Sequence, residues 1–142
     1  VGDVSAWAAW AAALTSVATL VVTTVVSGKR DQRRWARDAL TDAFVAFLEA
    51  SWRHSDLFRA QPSGAVRAPD GAADAYTEMR SQLTRLRLLA SGQVLVVCEE
   101  LLRRQKGVDE AVPGPARQAA LARVSEVRRK VVSAAKAEMG LA

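Results

Sequence analysis

The chain has 142 residues, half of them hydrophobic, a formal charge of +5 and one cysteine. That length holds one domain of ordinary size, and a lone cysteine, Cys98, excludes an intramolecular disulfide. The charge does not describe a nucleic-acid surface, because it is gathered in one place: Lys29, Arg30, Arg33, Arg34 and Arg37 against Asp31 put +4 into nine residues, whereas from Asp38 onward 15 basic side chains stand against 13 acidic ones.

The first element precedes that basic collar. Between Asp3 and Lys29 there are 25 consecutive residues without a charge. A helix rises about 1.5 Å per residue, so about 20 apolar residues cross a hydrocarbon core of about 30 Å. Val4 to Val26 supplies 23, and the expectation is a transmembrane helix over 4–27. Trp7 and Trp10 stand near one end and Trp35 just past the other, where amphipathic rings favour the headgroup region. Lys29, Arg30, Arg33, Arg34 and Arg37 form a basic juxtamembrane collar over 28–37 that keeps its side in the cytoplasm. The expected topology is single-pass in the cell membrane, with the N-terminus outside and a cytoplasmic domain over 38–142. A cleaved signal peptide wants the opposite charge order, and a soluble core helix of this length without a charged face is uncommon. One face of the segment is small or hydroxylated, with Ala8, Ala12, Thr15, Thr19 and Thr23 at spacings of 4, 3, 4 and 4; it offers a weak motif for self-association, without a GxxxG centre.

Past the collar the helical pattern continues to Pro62, with Gly28 as a soft point. Leu40, Phe44, Phe47, Leu48 and Trp52 fall on one apolar face, opposite Arg37, Asp38, Asp42, Glu49, Arg53 and Asp56. Ala60 to Gly71 carries two prolines and two glycines and reads as a loop. Tyr76, Met79, Leu83, Leu86 and Ala90 step by 3, 4, 3 and 4 as a heptad seam. Ser91 is a competent N-cap for Gln93 to Lys106, which turns Val94, Val97, Cys98, Leu101 and Leu102 inward and sets Glu99 by Arg103 and Glu100 by Arg104. Gly107 to Pro115 reads as a second loop, Pro115 as a first-turn proline, and Ala120, Val124, Val127, Val131 and Ala134 as the buried stripe of a last helix that ends before Gly140. Glu126 and Lys130 pair on its outer side. No strand alternation survives this comparison. The fold class is all-α: an N-terminal transmembrane helix continuing into an antiparallel cytoplasmic bundle of three to four helices.

The order of features, with "LRLLASGQV" and a closing "SAAKAEMGL", resembles small single-pass actinobacterial membrane proteins with a cytoplasmic helical-bundle domain. The resemblance spans nearly the whole chain and rests on pattern. It implies a tethered bundle and transfers no activity or site.

Catalytic constellations do not assemble. Ser51, His54 and Asp56 are near in sequence, but on a helix Asp56 points away from the other two, so His54 reads as a solvated or interfacial histidine. Asp38 and Asp42 belong to a charged solvated face. The single histidine and single cysteine lie 44 positions apart and make no metal cluster. Glycines form no phosphate-cradling loop. Arg123, Arg128, Arg129 and Lys130 read as a solvated face with Glu126 among them, so no nucleic-acid partner, cofactor or metal is expected. The functional expectation is a membrane-anchored interaction or scaffold module, its partners being membrane lipid with anionic headgroups, a protein, and a second copy of the chain. The alternative is a small membrane-active protein that acts by oligomerising its span.

Overall fold

The computed structural model describes the backbone of residues 2–141 and the side chains of residues 19–141. Four helices are present, α1 (Gly2–Arg59), α2 (Ala72–Leu89), α3 (Gly92–Glu110) and α4 (Pro115–Glu138), and no strand occurs among the described residues. Internal contacts divide the chain into two units, Val1–Arg37 and Asp38–Ala142.

In the first unit the apolar residues with described side chains are open to solvent: Leu20 is 70% exposed and Val22 62%. Among the described residues no helix is long and apolar enough to cross a membrane. Residues 4–18 of the expected span Val4–Val26 lie outside the described side chains, as do Trp7 and Trp10. The backbone runs through Gly28 as helix without a break.

The second unit is a four-helix bundle with up-down-up-down connectivity, and its register can be followed through side-chain contacts. The Thr41 hydroxyl donates to Met139 Sδ at 3.3 Å and Arg128 Nη2 to Ser51 O at 3.2 Å, so α4 descends beside α1. The His54 and Tyr76 rings lie 6.4 Å apart, setting the start of α2 against the late part of α1. Ser91, at the start of α3, donates through both its N–H and its hydroxyl to Glu138 near the end of α4, each at 2.8 Å. Short connections make antiparallel neighbours of successive helices.

Apolar periodicity decides which faces meet. Phe44, Phe47, Met79, Leu83, Leu86, Val94, Cys98, Leu101, Val124 and Val131 are buried and form one cluster. Each fully buried large apolar side chain contributes roughly 1.5–3 kcal/mol. Trp52, placed on this face by its spacing, is instead 49% exposed. It sits at the edge of the stripe, next to α4.

Two local features differ from expectation. The helix that begins at Gly92 does not stop at Lys106 but runs to Glu110, because Val108 lies seven residues after Leu101 on the same face and is fully buried; its burial outweighs the cost of about 1 kcal/mol for Gly107 within a helix. Glu99 bonds Arg87 of α2 at 3.3 Å rather than Arg103, while Glu100 takes both Arg103 and Arg104. Ala90 and Ser91 are extended (ψ 158° for both), so the region 72–106 is two helices joined by a tight corner. Glu126 and Lys130 pair at 3.5 Å as their spacing predicts. Gly140 (φ +69°) ends α4 in the left-handed conformation that favours glycine.

The connections 60–71 and 111–114 are fastened by one side chain. Arg117, at the start of α4, is 8% exposed. It donates to Ala65 O in the first loop and to Ala111 O in the second, both at 3.1 Å, and its guanidinium lies 5.1 Å from the centre of the Phe58 ring.

Candidate functional site

The centre of the second unit is polar. Ser51, His54 and Ser55 lie four, seven and eight residues after Phe47, so α1 turns them inward with its core face. Gln105 lies four residues after Leu101 on α3, and Arg128 four after Val124 on α4. All five are buried: Ser51, His54, Ser55 and Gln105 are 0% exposed and Arg128 2%.

Their hydrogen bonds form a single connected set. Gln105 is the hub: its Oε1 accepts from the Ser51 hydroxyl at 2.8 Å, and its Nε2 donates to His54 Nδ1 at 2.7 Å and to Ser55 Oγ at 3.1 Å. With Nδ1 accepting, the neutral imidazole carries its proton on Nε2 and donates it to Asp109 Oδ1 at 3.1 Å. Arg128 closes the set from α4, donating through Nε to Ser51 Oγ at 3.1 Å and through Nη2 to Ser55 Oγ at 2.7 Å and Ser51 O. Three helices are thus tied at one level by groups that cannot reach water.

The guanidinium has no carboxylate against it. Instead its carbon lies 3.9 Å from the centre of the Trp52 ring, a cation–π contact worth on the order of 2 kcal/mol when desolvated. Nη1 is buried without a hydrogen-bond partner. Burial pushes the Arg128 pKa down from 12.5 to about 10; the nearby Arg59 adds to the fall and Asp56 opposes it. It stays charged at neutral pH, held by hydroxyls, a carbonyl and a π face.

Chemically this is a clasp. Both imidazole nitrogens are engaged, and each serine hydroxyl is bonded to Gln105 or Arg128 and not to His54, so the nucleophile–base pair that acyl transfer needs is missing among the described residues. No group of three or more His, Cys, Asp or Glu able to hold a metal occurs among the described residues.

The sequence-predicted interfacial residues are elsewhere. Lys29, Arg30, Arg33, Arg34, Trp35 and Arg37 are all exposed on α1, with Trp35 68% exposed. Two expectations are corrected by the bundle. His54 is not solvated, since its place in the Phe47 stripe carries it inside. The basic cluster on α4 is not one face: Arg128 is buried, Arg123 and Lys130 line the open groove beside α3, and Arg129 is exposed on another side. The signal for Arg128 and Gln105 was the helical period itself, masked by their polarity.

No family model, curated protein or solved structure matches this chain.

Cys98 gives a prediction within the same core. It is 0% exposed; burial first, and the Glu99 charge second, push the thiol from 9.0 to about 12. It is a protonated, unreactive thiol, and a disulfide-exchange reagent at neutral pH should label it only as the bundle opens. The unfolded chain ionises this thiol near its ordinary value while the fold holds the proton, so the contribution is intact below that value and lost as pH rises toward about 12. Arg128 acts in the opposite sense, but only above about 10. The unfolding free energy from urea titration should fall between pH 9 and 10 by up to about 1.4 kcal/mol per unit, and Cys98→Ala should flatten that slope; an identical slope in the variant would assign it to other groups.

Proposed function

We propose that the chain is a membrane-anchored helical interaction module, with residues 4–26 in the bilayer, the collar from Lys29 to Arg37 at the cytoplasmic surface, and the bundle of Asp38–Ala142 presented to a partner. The observation that carries this reading is the uncharged run of 25 residues closed by five basic side chains within nine positions. The bundle completes its own core from residues 40–135, while Leu20, Val21, Val22 and Val25 remain at least half exposed, an apolar surface suited to lipid. Thr23 and Thr24 donate their hydroxyls to the carbonyls of Thr19 and Leu20 at 2.7 and 2.8 Å. Polar groups satisfied within the helix meet the requirement that lipid imposes. The same bonds weigh against the pore-forming alternative, in which those hydroxyls would face water. The exposed collar suits anionic headgroups, which attract basic side chains by about 1 kcal/mol each near the surface. The actinobacterial resemblance points the same way, and the filled polar centre favours a binding module over an enzyme.

Carbonate extraction with reporters fused at each end tests the topology. Full-length protein should stay in the membrane pellet with its C-terminal reporter active in the cytoplasm. Replacing Lys29, Arg30, Arg33, Arg34 and Arg37 by Glu should lower that orientation bias several-fold. Release of the native protein by carbonate would sink the reading.

A further inference from the structure

One outer face of the bundle carries an apolar strip between two charged columns. Trp52 and Val45, seven residues apart on α1, are each 49% exposed, and Val132 on α4 is 36% exposed. The bonds that tie Thr41 to Met139 and Ser51 to Arg128 put these three side chains along the α1/α4 seam. The helical period continues from each helix away from that seam. On α1 the next column outward opens with the acidic Asp42 and Glu49 before Arg53 follows one turn on; on α4 the matching column is basic, Arg129 and Lys136. Asp42, Glu49, Arg129 and Lys136 are exposed, and none has an ion-pair partner among the described residues, although most charges along α3 do.

We infer that this face binds a second copy of the chain in a parallel two-fold dimer. A two-fold axis running along the seam brings α1 of one copy opposite α4 of the other, and the reverse. Each acidic column then meets a basic column, while Trp52, Val45 and Val132 cover their counterparts near the axis. The register agrees. The Thr41–Met139 contact puts Asp42 close to the level of Lys136, and seven residues along each helix Glu49 reaches the level of Arg129. The partners therefore match in sign and height on both sides of the axis. An antiparallel arrangement about an axis across the seam would set α1 against α1 and α4 against α4, so columns of like charge would meet. The inference deepens the interaction-module reading by naming the partner, but it rests on the bundle surface alone and holds whether or not residues 4–26 enter lipid.

Charge reversal tests it on the full-length chain in detergent, with light scattering after size exclusion reporting mass. One variant carries Asp42→Lys with Glu49→Lys, the other Arg129→Glu with Lys136→Glu. Each alone should dissociate, its dimer weakened by more than about a hundredfold because like charges across an interface are strongly unfavourable. Mixing the two at equal concentration should restore the dimer, since both contacts are then complementary; a chain carrying all four reversals should dimerise by itself. Circular dichroism matching the parent confirms that the bundle is intact, and the four-reversal chain supplies the test if either acidic or basic variant fails to fold. A monomeric parent, reversed variants that remain dimeric, or a mixture that stays monomeric would each overturn the inference. These outcomes are separate from carbonate extraction, so loss of one reading does not decide the other.

Discussion

Gln105→Leu is expected to lower the stability of the bundle by about 2–5 kcal/mol, although it exchanges a polar side chain for an apolar one of similar size inside a helical core. Leucine favours helix, and substitution of a buried polar group by a hydrophobic one is often mild when its partners go with it. Here the partners remain. His54 Nδ1 loses the donor at 2.7 Å and the Ser51 hydroxyl loses its acceptor at 2.8 Å, both at residues with no exposure. Each buried orphan costs about 1–3 kcal/mol. Arg128→Met provides the contrast. Ser51 and Ser55 keep Gln105, the unpartnered Nη1 disappears, and release from the penalty for burying the charge offsets the lost contact with the Trp52 ring, so stability should change by no more than about 1 kcal/mol in either direction. Urea unfolding followed by circular dichroism, at constant m-value, measures both. A loss of several kcal/mol in Arg128→Met beside a mild Gln105→Leu would reverse the hierarchy and make the arginine the centre of the clasp.

That hierarchy also marks where sequence reading loses its grip. The periods through Phe44 and Phe47, Met79 to Leu86, Val94 to Leu101 and Val124 to Val131 locate every helix of the bundle, because apolar type and helical phase agree there. At His54, Gln105 and Arg128 phase and type disagree, and type alone misleads: a histidine beside serines reads as solvated or interfacial, and an arginine in a basic run reads as surface. The geometry resolves the conflict cooperatively: His54 and Gln105 bond each other, Arg128 bonds Ser51 and Ser55, and the serines join the two, so each is tolerable inside only with its neighbours in place. No single residue signals that arrangement. Gly107 illustrates the smaller version, in which a helix breaker yields to the burial of Val108 one position later. The α1/α4 outer face was half visible. Asp42 and Glu49 were placed on the charged side of α1, but their complement on α4 needs the register set by Thr41 and Met139, a contact across 98 positions of sequence.

Phe47→Ala should be the most damaging apolar truncation in α1. Phe47 is 0% exposed and belongs to the same cluster as Met79, Leu83, Leu101 and Val124, and removing a buried aromatic ring costs about 3–5 kcal/mol through lost transfer energy and the cavity left behind. A domain of this size is stable by about 5–15 kcal/mol, so one ring carries a large part of the margin. The position bears on function because residues 38–59 of α1 serve two purposes at once: Phe47 faces inward among the other helices, while Val45 and Glu49, two residues to either side, face the proposed partner. A truncated ring should therefore lower the urea midpoint and weaken self-association together, whereas reversing Glu49 with Asp42 should abolish self-association and leave the unfolding free energy of the monomer within about 0.5 kcal/mol of that of the parent bundle. Separation of the two effects is the measurement that matters. Should the surface reversal reduce bundle stability as much as the loss of Phe47, the acidic column would be part of the fold of one chain, and the outer face of α1 would no longer be available to a second.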